Sequence, residues 1–287
     1  MTHADDAQDN AAQIAYWNDR AAVTWTNFQD RLDAQFEPIT ALALGSATPA
    51  AGEYAIDIGC GCGATVLALA DRLGPGGQVV GLDVSQPMAA RARQRIEAAG
   101  LTNARVIVSD AATHRFAEPR ADLLFSRFGV MFFADPAAAF ANLRTAMRPG
   151  GRLLFAAWRP LADNPWFSVP MQAAAALLPP QPPADPSAPG PFALADRDRT
   201  LGLLQAGGWQ QAVLQKHDLG MRIAAAGQIE QATEFATHMG ALGRILGEQP
   251  PEKRGPVQDA VAAALRRYDS PDGIVLQGSI WLISARA

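Results

Sequence analysis

The densest chemical signal in these 287 residues is Asp57-Ile58-Gly59-Cys60-Gly61-Cys62-Gly63, set between a short apolar run, Tyr54–Ile58, and a stretch of helical composition, Ala64–Leu73. Glycine has no Cβ, so the backbone there can turn sharply and a ligand can approach the amides at the start of the helix. Gly59, Gly61 and Ala64 satisfy the G-x-G-x-x-A fingerprint of nucleotide-binding turns. Asp83 follows at about the twenty-residue distance where a carboxylate holds ribose hydroxyls.

Asp57 separates the cofactors that such a turn can serve. Two residues before the first glycine, its carboxylate would face a doubly anionic pyrophosphate across a short distance, which is unfavourable at low local dielectric. S-adenosylmethionine instead brings an ammonium and a sulfonium, which an acidic rim attracts. A nicotinamide oxidoreductase remains the alternative that shares the turn, and a non-catalytic S-adenosylmethionine-binding protein would keep the whole cofactor site. Cys60 and Cys62, the only cysteines, read as small turn residues, because the sequence supplies no further ligands for a structural zinc.

The elements that must position these residues follow from periodicity and punctuation. Helical spacing of large apolar groups covers 11–44. Strands are expected at 54–58, 78–82, 104–108, 121–125 and 152–157, with helices at 64–73, 87–99 and 136–147 between them, each closed by glycine, proline or both. Repeated β-α units predict a mostly parallel, seven-stranded, Rossmann-like α/β sheet with helices on both faces and a helical cap. Further on, helices are expected at 166–178, 196–206, 229–246 and 257–268, and strands at 211–219 and 274–285. The chain thus divides into a helical N-terminal extension (1–50), a cofactor-binding core (51–160) and a completion of the sheet (161–287) with cap insertions at 161–192 and 222–270.

Several motifs in order carry a family resemblance: Asp57 to Gly63; Gly81-Leu82-Asp83-Val84-Ser85 with Met88; Ser109-Asp110-Ala111; Ala121-Asp122-Leu123-Leu124-Phe125-Ser126; and Arg148-Pro149-Gly150-Gly151. The segment 57–157 resembles the core of class I S-adenosylmethionine-dependent methyltransferases. Ser126-Arg127-Phe128-Gly129-Val130-Met131-Phe132-Phe133 with Asp135-Pro136 and the later Asn164-Pro165-Trp166 resemble a bacterial subgroup near the ubiquinone and menaquinone C-methyltransferases. The resemblance implies that Gly59, Gly61 and Gly63 make room for the methionine part, Asp83 binds the ribose, and Val84 packs on adenine. It implies also that Met88 belongs to the site, that Asp110 and Ala111 hold the adenine edge, and that Ser126 closes the site beside the methionine amine. Ser126-Arg127-Phe128-Gly129 departs from the Asn-Pro-Pro-Tyr pattern of the family's nucleic-acid branch.

Composition narrows the acceptor. Formal net charge is −4 and the arginines are scattered, so no nucleic-acid partner is expected; Arg91, Arg93 and Arg95 read as the solvated face of a helix. The polar 1–10 segment is no secretory signal, and prolines interrupt the uncharged 164–184 stretch, so a cytoplasmic protein without a membrane span is expected. Methyl transfer from a sulfonium needs alignment more than a base. Candidate catalytic residues are Arg127, just past a strand end, where it could orient an acidic acceptor, and His238, on an amphipathic helix with Phe235, Met239 and Leu242. Most aromatic residues read as core, with Phe128 and Trp158 as pocket candidates. The expected acceptor is a small, largely apolar molecule under a cap; its identity, the atom methylated and the oligomeric state are not legible.

Overall fold

A computed structural model describes residues 3–118, 120–182 and 185–287, with backbone alone for 3–9. Met1 and Thr2 of the polar N-terminus and Pro183 of the proline-rich loop lie outside the described residues.

Three helices, α1 (His3–Asn18), α2 (Arg20–Asn27) and α3 (Gln29–Ala47), precede the sheet. Then follow β1 (Tyr54–Ile58), α4 (Ala64–Leu73), β2 (Gln78–Asp83), α5 (Gln86–Ala98), β3 (Ala104–Val108), β4 (Ala121–Arg127), α6 (Pro136–Arg144) and β5 (Met147–Trp158). The local signals do the expected work at the boundaries. Ser85 and Asp135 accept from the amides of Met88 (3.4 Å) and Ala138 (3.0 Å), with proline in the first turn of both helices. Gly74 in the left-handed region stops α4.

After β5 come α7 (Pro165–Ala174), α8 (Arg197–Ala206), β6 (Gln210–Ala224), α9 (Ile229–His238), α10 (Gly240–Gly247), α11 (Arg254–Leu265), the two-residue β7 (Asp269–Ser270) and β8 (Gly273–Arg286). The order across the sheet is β3-β2-β1-β4-β5-β8-β6, with β7 pairing β8. The first five strands are parallel, while β8 runs antiparallel between β5 and β6. Leu123, Leu124 and Phe125 of β4 are fully buried in succession, as a parallel strand covered on both faces requires.

Among the described residues the apolar side chains gather in two large cores and a small cluster of Ala22, Cys62 and Met88 beside Trp17 and Trp25. The main one lies between the sheet and its flanking helices. β6 and β8 run on beyond it, pairing Met221 with Leu276 and Ala224 with Ile274, and a smaller core forms around that extension from Ala174, Ala232, Leu246, Val261 and Leu265 of α7 and α9 to α11. Three expectations shift. β5 begins at Met147, not 152, with an irregular register against β4. β6 continues through Gly220 to Ala224, because its whole length pairs with β8. The span 229–246 is two helices, broken at Met239, whose backbone is extended. Among the described residues no helix is long and apolar enough to cross a membrane.

Candidate active site

β1 and β4 are adjacent and parallel, and their onward connections run in opposite directions across the sheet. Ligands of open α/β sheets bind at such a switch point. Here the two loops touch: Gly59 has φ +66°, and a Cβ on it would lie 2.5 Å from the Gly129 Cα. Ser126, fully buried at the end of β4, fixes the contact, its hydroxyl donating to the Ile58 carbonyl (2.8 Å) and accepting from the Gly129 amide (3.1 Å).

Asp83 ends β2 and ties the neighbouring turns together. Its carboxylate accepts from the amides of Gly61 (2.7 Å) and Ser85 (2.8 Å). Burial pushes its pKa up, and those N–H groups oppose the shift. Asp110 accepts from the Ala112 amide (2.9 Å) with one oxygen and from the Asn10 side chain (2.8 Å) with the other.

Asp57 is fully buried beneath the turn. One of its oxygens accepts from the Thr65 hydroxyl, and the other has no hydrogen-bond partner among the described residues. Burial raises the carboxyl to about 7, with the Thr65 bond and Arg127 opposing and Asp83 adding to the rise.

Gly59, Gly61, Asp83, Val84, Met88, Asp110, Ala111 and Arg127 line one cavity. Asp57 and Ser126 lie behind its wall. Gly63 does too: it caps α4 in the left-handed region, and a Cβ there would come within 2.9 Å of the Ala92 side chain, so it sets how closely α4 approaches α5. His238 is not brought to this cavity; it is exposed, its Nδ1 lies 2.7 Å from the Glu234 carbonyl, and it faces a second concavity.

The N-terminal helices supply a wall of this cavity that the sequence reading did not specify residue by residue. Asn10, Ile14, Trp17, Trp25, Asp33 and Phe36 all line it. Asp33 accepts from Gln29 (2.8 Å) and Arg95 (2.7 Å), and Arg91 donates to Gln29. Arg91 and Arg95 therefore hold α3 against the turn instead of forming a solvated face, a correction that follows from α2 and α3 packing where solvent was expected. A polar Gln29-Asp33 pair, one turn apart beside buried Leu32 and Phe36, was the available signal.

Phe128 takes φ +72°, a conformation costly for a bulky side chain, and is held by stacking on Trp158 (4.3 Å between centroids, 11° between planes). Phe128 lines the cavity, whereas Trp158 backs it. Arg127 lies 5.2 Å over the Phe36 ring and donates to the Thr40 hydroxyl (2.8 Å). Burial pushes its pKa down, and the charges of Asp33 and Asp57 oppose that. The cavity thus joins an acidic, turn-lined half to an aromatic half.

Residues 55–151 match the family described as methyltransferase domain. That match covers 97 of the 287 residues. The chain is 34% identical over 127 residues to aklanonic acid methyltransferase of Streptomyces sp. (strain C5), covering 44% of this chain and 58% of that protein. It is 38% identical over 99 residues to demethylmenaquinone methyltransferase of Thermus thermophilus, covering 34% of this chain and 44% of that protein. The chain therefore matches only about half the length of these relatives. The crystal structure of the YcgJ protein from Bacillus subtilis shares the fold, with TM-score 0.57 and 16% identity over 86% of this chain and 97% of that one. The matched segment spans β1 to the start of β5, so the turn, Asp83, Asp110 and Arg127 all lie inside it.

Proposed function

We propose that this protein is an S-adenosylmethionine-dependent methyltransferase acting on a small, largely apolar acceptor. One observation carries the reading: a cavity at the sheet's switch point gathers Asp33, Asp83 and Asp110 on its lining and Asp57, with an unpartnered buried oxygen, just behind it. Such a site is predominantly acidic, three aspartates facing Arg127 on its lining, and fits a cofactor that brings an ammonium and a sulfonium. It fits a pyrophosphate poorly.

When bound, the cofactor supplies an electrophilic methyl group on sulfur. The chain's own residues do the rest. Asp83 accepts from ribose hydroxyls, Asp110 and the Ala111 amide hold the adenine edge, and Val84 and Met88 pack on the ring. Gly59 and Gly61 open the turn to the methionine part, whose positive end Asp57 attracts from behind; Gly63 and Ser126 act by fixing the turn. Trp17, Trp25, Phe36, Phe128 and Phe132 exclude water and orient an apolar acceptor, which supports alignment as the main source of acceleration. Arg127 steers a polar substituent of the acceptor. The extension 1–50 serves as the cap over this cavity, and the insertion 222–270 as the cap over its neighbour.

Calorimetry with S-adenosylmethionine and S-adenosylhomocysteine tests the reading. Both bind the intact chain, and NAD does not. Asp83→Ala weakens both by about 1.5–3 kcal/mol, the worth of hydrogen bonds to a charged group. Thermal unfolding of the variant separates that loss from a collapse of the turn. NAD binding, or unchanged affinity in folded Asp83→Ala, overturns the assignment.

A further inference from the structure

The second concavity lies where α1 and α2 meet α9, α10 and α11. Tyr16, Arg20, Thr24, His238, Arg244 and Arg254 line it, and Trp25, Met239 and Leu246 give it an apolar floor. Among the described residues no aspartate or glutamate lines it. Three arginines thus converge from three helices, α2 lying far in sequence from the neighbouring α10 and α11.

A solvated arginine face would spread its charges, and these are gathered. Arg20 is pinned at the rim, its guanidinium donating to the Gly247 carbonyl (3.2 Å). Gly247 leaves the room, because a Cβ there would lie 2.4 Å from the Arg20 nitrogen. Arg244 has only a long contact with Glu248 (3.5 Å), both half exposed, and Arg254 has no carboxylate partner within 4.0 Å among the described residues. The mutual repulsion of such a group is relieved by an anion, and guanidinium forks match carboxylate and phosphate oxygens. The Tyr16 phenol, raised by burial, feels the Arg244 charge and adds a donor at the same rim.

Trp25 lines this concavity and the first cavity alike. One indole therefore separates a cationic rim from the aromatic half of the candidate active site. An inorganic anion would have no use for the apolar floor, whereas an apolar molecule ending in an acid would use floor and rim together.

We infer that this concavity binds the oxyanion of the methyl acceptor, a carboxylate or phosphate on an otherwise apolar molecule whose body passes Trp25 into the first cavity. The inference rests on the methyl-transfer reading and narrows its substrate class to apolar acids.

The test uses the full chain saturated with S-adenosylhomocysteine, whose own binding is measured first. 6-Phenylhexanoate, its neutral carboxamide, the corresponding phenylalkyl phosphate and inorganic phosphate are then titrated calorimetrically into the wild type and an Arg244→Ala/Arg254→Ala variant. One of the two apolar anions binds at least about tenfold tighter than the carboxamide, and the variant loses that advantage while carboxamide and S-adenosylhomocysteine affinities hold. Equal binding of anion and amide, or an unaffected variant, overturns the inference. Inorganic phosphate binding as tightly as the apolar anions overturns the acceptor as its source. Failure of S-adenosylhomocysteine to bind overturns the methyl-transfer reading, a result distinct from failure of the anion arm. Both arginines are exposed, and unchanged thermal unfolding establishes that the variant is folded.

Discussion

The Asn10 side-chain nitrogen lies 2.8 Å from a carboxylate oxygen of Asp110, a residue one hundred positions further along the chain. Eight residues on, Asn18 donates to the Val84 carbonyl and accepts from the Gln86 amide, both at 2.9 Å. One helix is thus clipped to the loops that follow β2 and β3, across the candidate adenosine site.

Removing both clips in Asn10→Ala/Asn18→Ala loosens that strap. Part-buried hydrogen bonds contribute about 0.5–1.5 kcal/mol each, so S-adenosylhomocysteine dissociates roughly tenfold faster. Stopped-flow displacement measures the rate. An unchanged rate places the exit path elsewhere.

Asp57 makes the stability of the cofactor-free protein depend on pH. Its carboxyl titrates near about 7 in the folded chain, against about 3.9 when exposed. The folded state therefore binds more protons between those values, so the stability this group confers is complete below about pH 4 and is lost as pH rises through about 7. Asp83 is shifted the same way and adds to the slope. Thermal midpoints fall over that range in the wild type and flatten in Asp57→Asn. A cationic ligand reverses the shift and expels a proton, so binding enthalpy near about pH 6.5 varies with the buffer's ionisation enthalpy. That dependence shrinks in Asp57→Asn.

Gly59→Ala combines a left-handed backbone with a Cβ 2.5 Å from the Gly129 Cα. The strain alone costs about 1–3 kcal/mol, and the clash forces the β1 and β4 loops apart. A lowered thermal midpoint together with loss of S-adenosylmethionine binding is expected. A midpoint near wild type with normal affinity removes the loop contact from the argument.

Arg127→Met keeps the length of the side chain and deletes its charge. The bond to Thr40 is worth about 1 kcal/mol, so the fold survives, but Asp57 loses the cation that opposes the rise of its pKa. The Asp57 carboxyl then titrates higher still, and turnover with an acceptor falls more than cofactor affinity does. Equal losses in both assign Arg127 to the cofactor alone.

The parallel half of the fold is legible because its signals are local: Tyr54–Ile58 and Ala64–Leu73 fall where the apolar run, the glycine turn and Gly74 put them. Pro149-Gly150-Gly151 reads as a turn and lies within β5 at the irregularity between the Ala121–Met147 and Leu123–Arg152 pairs, where Gly150 takes φ +74°. At Gly220 in β6, pairing with Gln277 of β8 overrides local preference. At the site, Gly59, Gly61, Asp83 and Asp110 are bound to short motifs and could be named. Asp33 and Phe36 could not, because their place depends on how a helix from another part of the chain docks. His238 shows the converse: helical periodicity put it on an amphipathic helix but could not say which cavity that helix faces.

The placement of β8 bears on how the chain matures on the ribosome. Following β6 in the chain, it sits inside the sheet, antiparallel between β5 and β6, and it carries the far end of the smaller core. Until residues 273–286 have been synthesised, β5 and β6 present unpaired edges and the helices between β6 and β8 have nothing to close on. The nascent chain therefore passes through a long interval with sticky strand edges exposed. The parallel half can form its β1 to β4 pairings early, whereas completion of the sheet waits on β8, made only after β6 and the helices that follow it.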